Sequence, residues 1–109
     1  MRPIPKKLLI HSATYKHTPV KDAWQHTTYT ETTLKHVRVE PSSAIKTSKD
    51  NKELQLKSVL FYDCVNSSPA GVEFIEENKI TFNGTDYSIA SVDPLYDGTR
   101  LHHVEVGLC

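Results

Sequence analysis

Cysteine, glycine and methionine are scarce in this 109-residue chain, at two, four and one, and there is a single tryptophan. Two cysteines, Cys64 and Cys109, cannot build a disulfide framework, and a chain of this length needs none. The glycines are scattered at Gly71, Gly84, Gly98 and Gly107, which excludes a glycine-rich phosphate loop. Neither sign of charge is in excess: thirteen Lys and Arg balance thirteen Asp and Glu. That balance argues against a dedicated DNA-binding domain, which usually carries a basic excess, and against disorder, which needs high net charge. Long hydrophobic runs are also missing. The longest, Val59-Leu60-Phe61-Tyr62, is four residues, far short of a membrane-spanning helix. Leu8-Leu9-Ile10 is too short for the apolar centre of a secretory signal. The expectation is a soluble protein made in a reducing cytoplasm, with no membrane partner.

What is present is a series of short apolar stretches separated by turn residues, which favours strands over helices. The length predicts one domain over residues 1–109, with 1–6 as an extended, proline-containing arm. Residues 7–15 read as a first strand, ended by Lys16-His17-Thr18-Pro19. Five threonines in residues 27–33 favour another strand through β-branching. Residues 34–40 alternate, with Val37 and Val39 on one face and His36, Arg38 and Glu40 on the other.

Residues 41–53 read as a mobile loop, followed by an apolar strand over 54–63. A second long loop is expected over 65–78, where 72–77 reads as either a strand or a helical turn. Asn83-Gly84, between alternating runs, predicts a type I′ hairpin, because both central residues of that turn need positive φ. Asp93-Pro94 is expected to end the next strand. A final strand over 101–108 should point Val104, Val106 and Leu108 inward. The predicted fold class is all-β: a small single-domain β-barrel or compact sandwich with two long loops.

Chemical constellations are weak. Six histidines are more than chance supplies, but metal-ligand spacings are missing. His102-His103 would put its rings on opposite faces of a strand. Cys64 reads as a small hydrophobe after an apolar strand, and Asp93 and Asp97 as turn residues. Trp24 with Tyr15, Tyr29, Lys16 and Lys21 could form a single-strand nucleic-acid platform, or equally a buried tryptophan with tyrosines at an edge. No catalytic, cofactor or metal residues are assigned, so the residue chemistry points to a non-catalytic β-domain.

Taken together, Pro3-Ile4-Pro5-Lys6-Lys7-Leu8-Leu9-Ile10-His11, Val37-Arg38-Val39-Glu40-Pro41, Lys79-Ile80-Thr81-Phe82-Asn83-Gly84, Ser91-Val92-Asp93-Pro94-Leu95-Tyr96 and Leu101-His102-His103-Val104-Glu105-Val106 carry a resemblance. In that order and spacing the chain resembles the minor capsid protein family of tailed phages and prophages of Gram-positive bacteria. Such proteins are similar in role to head-completion, or stopper, proteins of the phage neck. The resemblance implies a homo-oligomeric ring below the portal and its adaptor and a docking surface for the tail; transient contact with packaged DNA is a further expectation.

Identical subunits in a ring meet through unlike patches, so the 1–6 arm is a candidate strap onto a neighbour. The loops supply the candidate partner-binding residues: Ile45, Lys46, Lys49, Asp50 and Lys52 in the first, and Pro69, Glu73 and Phe74 in the second. The other roles weighed are a tail-completion or other joining protein, and a nucleic-acid-binding barrel.

Overall fold

The structure is a computed structural model that describes residues 3–21, 23–24, 26–47, 51, 53–76 and 78–109. Eight strands follow a short 3₁₀ turn at Lys6–Leu8: β1 His11–Lys21, β2 Thr27–Pro41, β3 Ile45–Thr47, β4 Glu53–Gln55, β5 Ser58–Asp63, β6 Lys79–Phe82, β7 Thr85–Asp97 and β8 Arg100–Leu108. Six of them close into an antiparallel barrel in the order β1-β2-β5-β8-β7-β6, while β3 and β4 form a separate two-stranded hairpin. Closure removes most of the free sheet edge that an open sheet of this size would display.

Alternation fills the barrel. Leu34, Val37, Leu60, Ile80, Val106 and Leu108 are fully buried, and Val39 and Val104 nearly so. Val37 and Val39 point inward as their spacing predicted, and so do the three apolar residues of the last strand. Asn83 and Gly84 connect β6 to β7 with φ of 51° and 75°, as a type I′ turn demands. Gly107 is required for a different reason: a Cβ there would lie 2.4 Å from the Ser91 Oγ and 3.0 Å from Leu56.

The expected alternation of 34–40 is interrupted. Leu34 and Val37 are both buried, three residues apart, because His36 adopts φ of +56° in a bulge opposite the His11/Ser12 register shift. The Val39 N–H donates to His11 Nδ1 at 3.0 Å, so a side chain supplies the acceptor where the ladder slips.

Several strand boundaries are corrected. The first strand begins at His11 rather than residue 7 and continues through Pro19 to Lys21. β7 likewise continues through Pro94 to Asp97. Both prolines sit where a strand has lost one neighbour, since β6 pairs only with Thr14–Lys16 of β1 and Thr85–Ser88 of β7. An edge position tolerates a residue with no N–H. The loop expected over 41–53 contains β3 and the start of β4. The strand expected over 54–63 is divided at Leu56-Lys57.

Continuation of β1 past Lys16 creates the main departure from a simple barrel. Residues 17–21 of β1 pair with residues 27–30 of β2 in a two-stranded ribbon that runs beyond both β6 and β5. Fifteen residues of extended chain span about 45–50 Å. That matches the 48 Å long axis of the molecule, whose other extents are 29 and 27 Å.

Candidate functional site

The surfaces available for function are the segments that leave the barrel. The start of β2 joins the projecting ribbon, and its end, at Pro41, leads into the β3–β4 hairpin. The two projections therefore depart from opposite ends of one strand. Trp24 at the ribbon's turn is 81% exposed and Val20 61% exposed, while Ile45 at the start of β3 is 64% exposed. Apolar groups held this far into solvent usually mark contact sites when they cluster. Tyr96, near the β7–β8 turn, is exposed as well.

The β3–β4 hairpin is tied down at its base by backbone bonds, Ser42 N–H to Lys57 O and Leu56 N–H to Ala44 O, at 3.0 and 2.8 Å. Farther out, Lys46 Nζ lies 3.3 Å from Asp93 of β7. Both groups are about half exposed, so the pair orients the hairpin more than it stabilises it. Of the candidate residues in this segment, Ile45 is presented to solvent and Lys46 is partly engaged by Asp93. Lys49, Asp50 and Lys52 lie outside the described residues.

The second long connection does the opposite and folds back over one end of the barrel. Its first turn is organised by Asp63, which is fully buried. One carboxylate oxygen accepts from Ile4 N–H at 2.9 Å; the other accepts from Val65 and Asn66 N–H at 3.0 and 2.8 Å. Three backbone donors offset the desolvation of this charge. Ser68 then exchanges both backbone hydrogen bonds with Lys35, beside the His36 bulge, and Ser67 donates its hydroxyl to the His36 carbonyl. Cys64, in the same turn, has its pKa raised by burial and by the neighbouring Asp63 charge. Its thiol is thereby kept protonated and poorly nucleophilic.

Beyond Pro69 the connection is pinned by two tyrosines. The Tyr62 hydroxyl donates to the Pro69 carbonyl, and burial raises its pKa. The Tyr15 hydroxyl donates to the Glu73 carbonyl at 2.9 Å and accepts from Ile75 N–H and Asn78 Nδ2, each at 3.1 Å. Between these rings sits Phe74, 7% exposed, with centroids 5.1 Å from Tyr15 and 5.3 Å from Tyr62. Phe74 is therefore a core residue that stoppers the barrel and does not offer its ring to a partner. Pro69 and Glu73 remain exposed. Residues 72–76 are neither strand nor helix, because the side chains beneath them consume the backbone groups that either structure would use.

The segment after Pro3 also has contacts with its own barrel: Asn66 Nδ2 donates to Ile4 O at 2.7 Å, Arg38 Nη1 donates to Leu8 O at 3.2 Å, and Leu9 is buried. Two further expectations are revised. The aromatic platform is split, since Tyr15 is buried in the core while Trp24 is exposed, and the buried-Trp24 alternative fails for the same reason. His102 and His103 do not diverge. A bulge at the Leu95/Tyr96 register shift brings their Nδ1 atoms to 2.7 Å, and His103 Nε2 lies 3.1 Å from Glu105. Among the described residues, no three His, Cys, Asp or Glu side chains converge as a metal site.

Sequence reasoning missed Asp63 and the ribbon. Asp63 at the head of the turn-rich run Asn66-Ser67-Ser68-Pro69 is an Asx-turn signal. The threonine-rich run was legible as a strand, but its projection was not. Fold and projections together define a class, a small closed β-barrel with two projecting hairpins that expose single apolar side chains. The chain belongs to the minor capsid protein family, whose model, described as minor capsid protein, matches residues 5–108. It is accordingly a structural protein of the phage virion, and family membership favours a structural over a catalytic role. No curated protein sequence matches the chain.

Proposed function

We propose that this protein completes the phage head at the neck, as a ring-forming stopper below the portal and adaptor that offers the tail a docking surface. The observation that supports this reading is that the ribbon and the β3–β4 hairpin leave opposite ends of β2, giving a rigid barrel two contact elements. A joint between two assemblies needs a surface toward each, and a closed barrel transmits load between them without offering many open edges. The neutral overall charge is compatible with a channel that must release its DNA, because extensive phosphate neutralisation would hold the genome back.

The reading is tested by making heads in a host where this gene is disrupted. Heads should fill with DNA, then leak it and fail to join tails, and purified protein added to the lysate should restore joining. Deletion of residues 47–52 should leave the barrel's thermal unfolding intact but block that rescue. Stable filled heads lacking only tail joining would favour a tail-completion role instead. Normal phage yield without the protein would overturn the proposal.

A further inference from the structure

The ribbon carries two strand edges, and they differ in chemistry. The β1 edge contains Pro19, Lys21 and a bulge at Thr18 with φ of +52°, all features that discourage pairing. The β2 edge over residues 27–33 has no proline, no glycine and one charged side chain, Glu31. Its direction follows from Lys35, whose N–H and C=O both point away from β1 to Ser68, at 2.9 and 3.0 Å. Between Lys35 and Thr27 the β2 backbone is regular, the register shift at His17/Val20 adding its extra residue to β1. Alternation then directs the backbone groups of Thr33, Glu31, Tyr29 and Thr27 outward from the ribbon, beyond the stretch of β2 that β5 covers.

We propose that this edge pairs antiparallel with the same edge of a second copy, about a two-fold axis at Thr30. The sequence is self-complementary in that register, which pairs the whole edge. Thr27 falls opposite Thr33, Thr28 opposite Thr32, Tyr29 opposite Glu31 and Thr30 opposite itself. Threonine pairs are favourable cross-strand neighbours, Tyr29 can donate its hydroxyl to the Glu31 carboxylate, and no like charges meet. All four outward residues fall opposite outward residues, so every exposed backbone group on the edge gains a partner. A shift by one residue would place outward groups against inward ones, and a shift by two would unpair an end. The pairing joins β1-β2 of one chain to β2-β1 of the other in a continuous four-stranded sheet. It also carries the turn that holds Trp24 alongside Ser68 and Pro69 of the other chain.

A two-fold contact closes on itself and cannot propagate round a ring, so it describes the free protein before it joins the virion. It does not rest on the neck reading, and its test uses purified full-length chain while that reading is tested in heads.

Sedimentation velocity of the native chain over a wide concentration range should show a monomer–dimer equilibrium. Fluorescence of Trp24, the sole tryptophan, should shift to the blue as dimer forms. Thr30→Lys and Thr30→Glu each place like charges on the axis and should weaken dimerisation about fivefold. Mixed together they should associate about tenfold or more tightly than either alone. Glu31→Pro removes an outward N–H without touching the bonds to β1, and should abolish the dimer while the circular-dichroism spectrum is kept. A native chain that stays monomeric overturns the proposal. So does a Lys/Glu mixture that associates no better than its components, or a Glu31→Pro dimer as stable as the native one.

Discussion

The two long connections of this barrel look alike as sequence and end up as opposites. Both are polar with a few apolar residues set among them, Ile45 in the first and Val72, Phe74 and Ile75 in the second. The connection between β2 and β5 satisfies its backbone with its own ladder, pairing Ile45–Thr47 with Glu53–Gln55, and projects Ile45 into solvent. The connection between β5 and β6 builds no ladder. It hands its backbone groups to Asp63, Tyr62, Tyr15 and Lys35 and drives Phe74 into the barrel. The difference lies less in composition than in what waits beneath each segment. A loop over buried tyrosine hydroxyls and an aromatic vacancy becomes a lid, and a loop over a salt bridge becomes an arm.

The sharpest way to break this comparison is to remove the residue that separates its halves. Phe74→Ala should destabilise the protein by about 3–5 kcal/mol, as for other buried phenylalanines, whereas Ile45→Ala should stay within about 0.5 kcal/mol. Paired thermal denaturation curves read both, and equal effects would erase the distinction between lid and arm. Next in size, Asp63→Ala leaves three backbone donors without their acceptor and should cost about 2–4 kcal/mol in urea unfolding. It should also raise hydrogen exchange at Ile4, Val65 and Asn66 specifically.

A smaller effect separates the halves by pH. Burial raises the Tyr62 pKa above its ordinary 10.0 and, with the Asp63 charge, the Cys64 pKa above 9.0. The folded chain therefore holds these protons more tightly than the unfolded one, so their contribution is fully present below pH 9 and is lost as pH rises through the raised values. The melting temperature should fall above about pH 9–10. Tyr62→Phe should lower stability by about 1 kcal/mol at neutral pH and reduce that alkaline decline. The smallest change is expected from Lys46→Ala, about 0.5 kcal/mol or less, because its partner Asp93 is equally solvated. A larger loss would mean that the arm is held more firmly than its geometry implies.

Much of the fold was legible because its signals are local. Alternation at Val37 and Val39 and the paired positive-φ requirement of Asn83-Gly84 involve only neighbouring residues. Strand content and the Asn-Gly hairpin could therefore be read directly. The breaks placed at Pro19 and Pro94 failed because a proline ends a strand only where a neighbour needs its N–H. Here β6 had already parted from β1 and β7. The divergence expected of His102 and His103 failed because a bulge resets alternation without changing the residue types around it.

By itself, then, the amino-acid order determined an all-β chain, its turn chemistry and, through the joint pattern of its motifs, the family to which it belongs. Tertiary structure decided which apolar residues are covered: Phe74 inside, Trp24 outside, and the segment after Pro3 laid against its own barrel. The reason is distance along the chain. The Tyr15 hydroxyl that pins the lid is 58 residues from the Glu73 carbonyl it meets, and Asp63 is 59 residues from the Ile4 N–H it accepts from. Burial at such positions is set by partners that no local window contains.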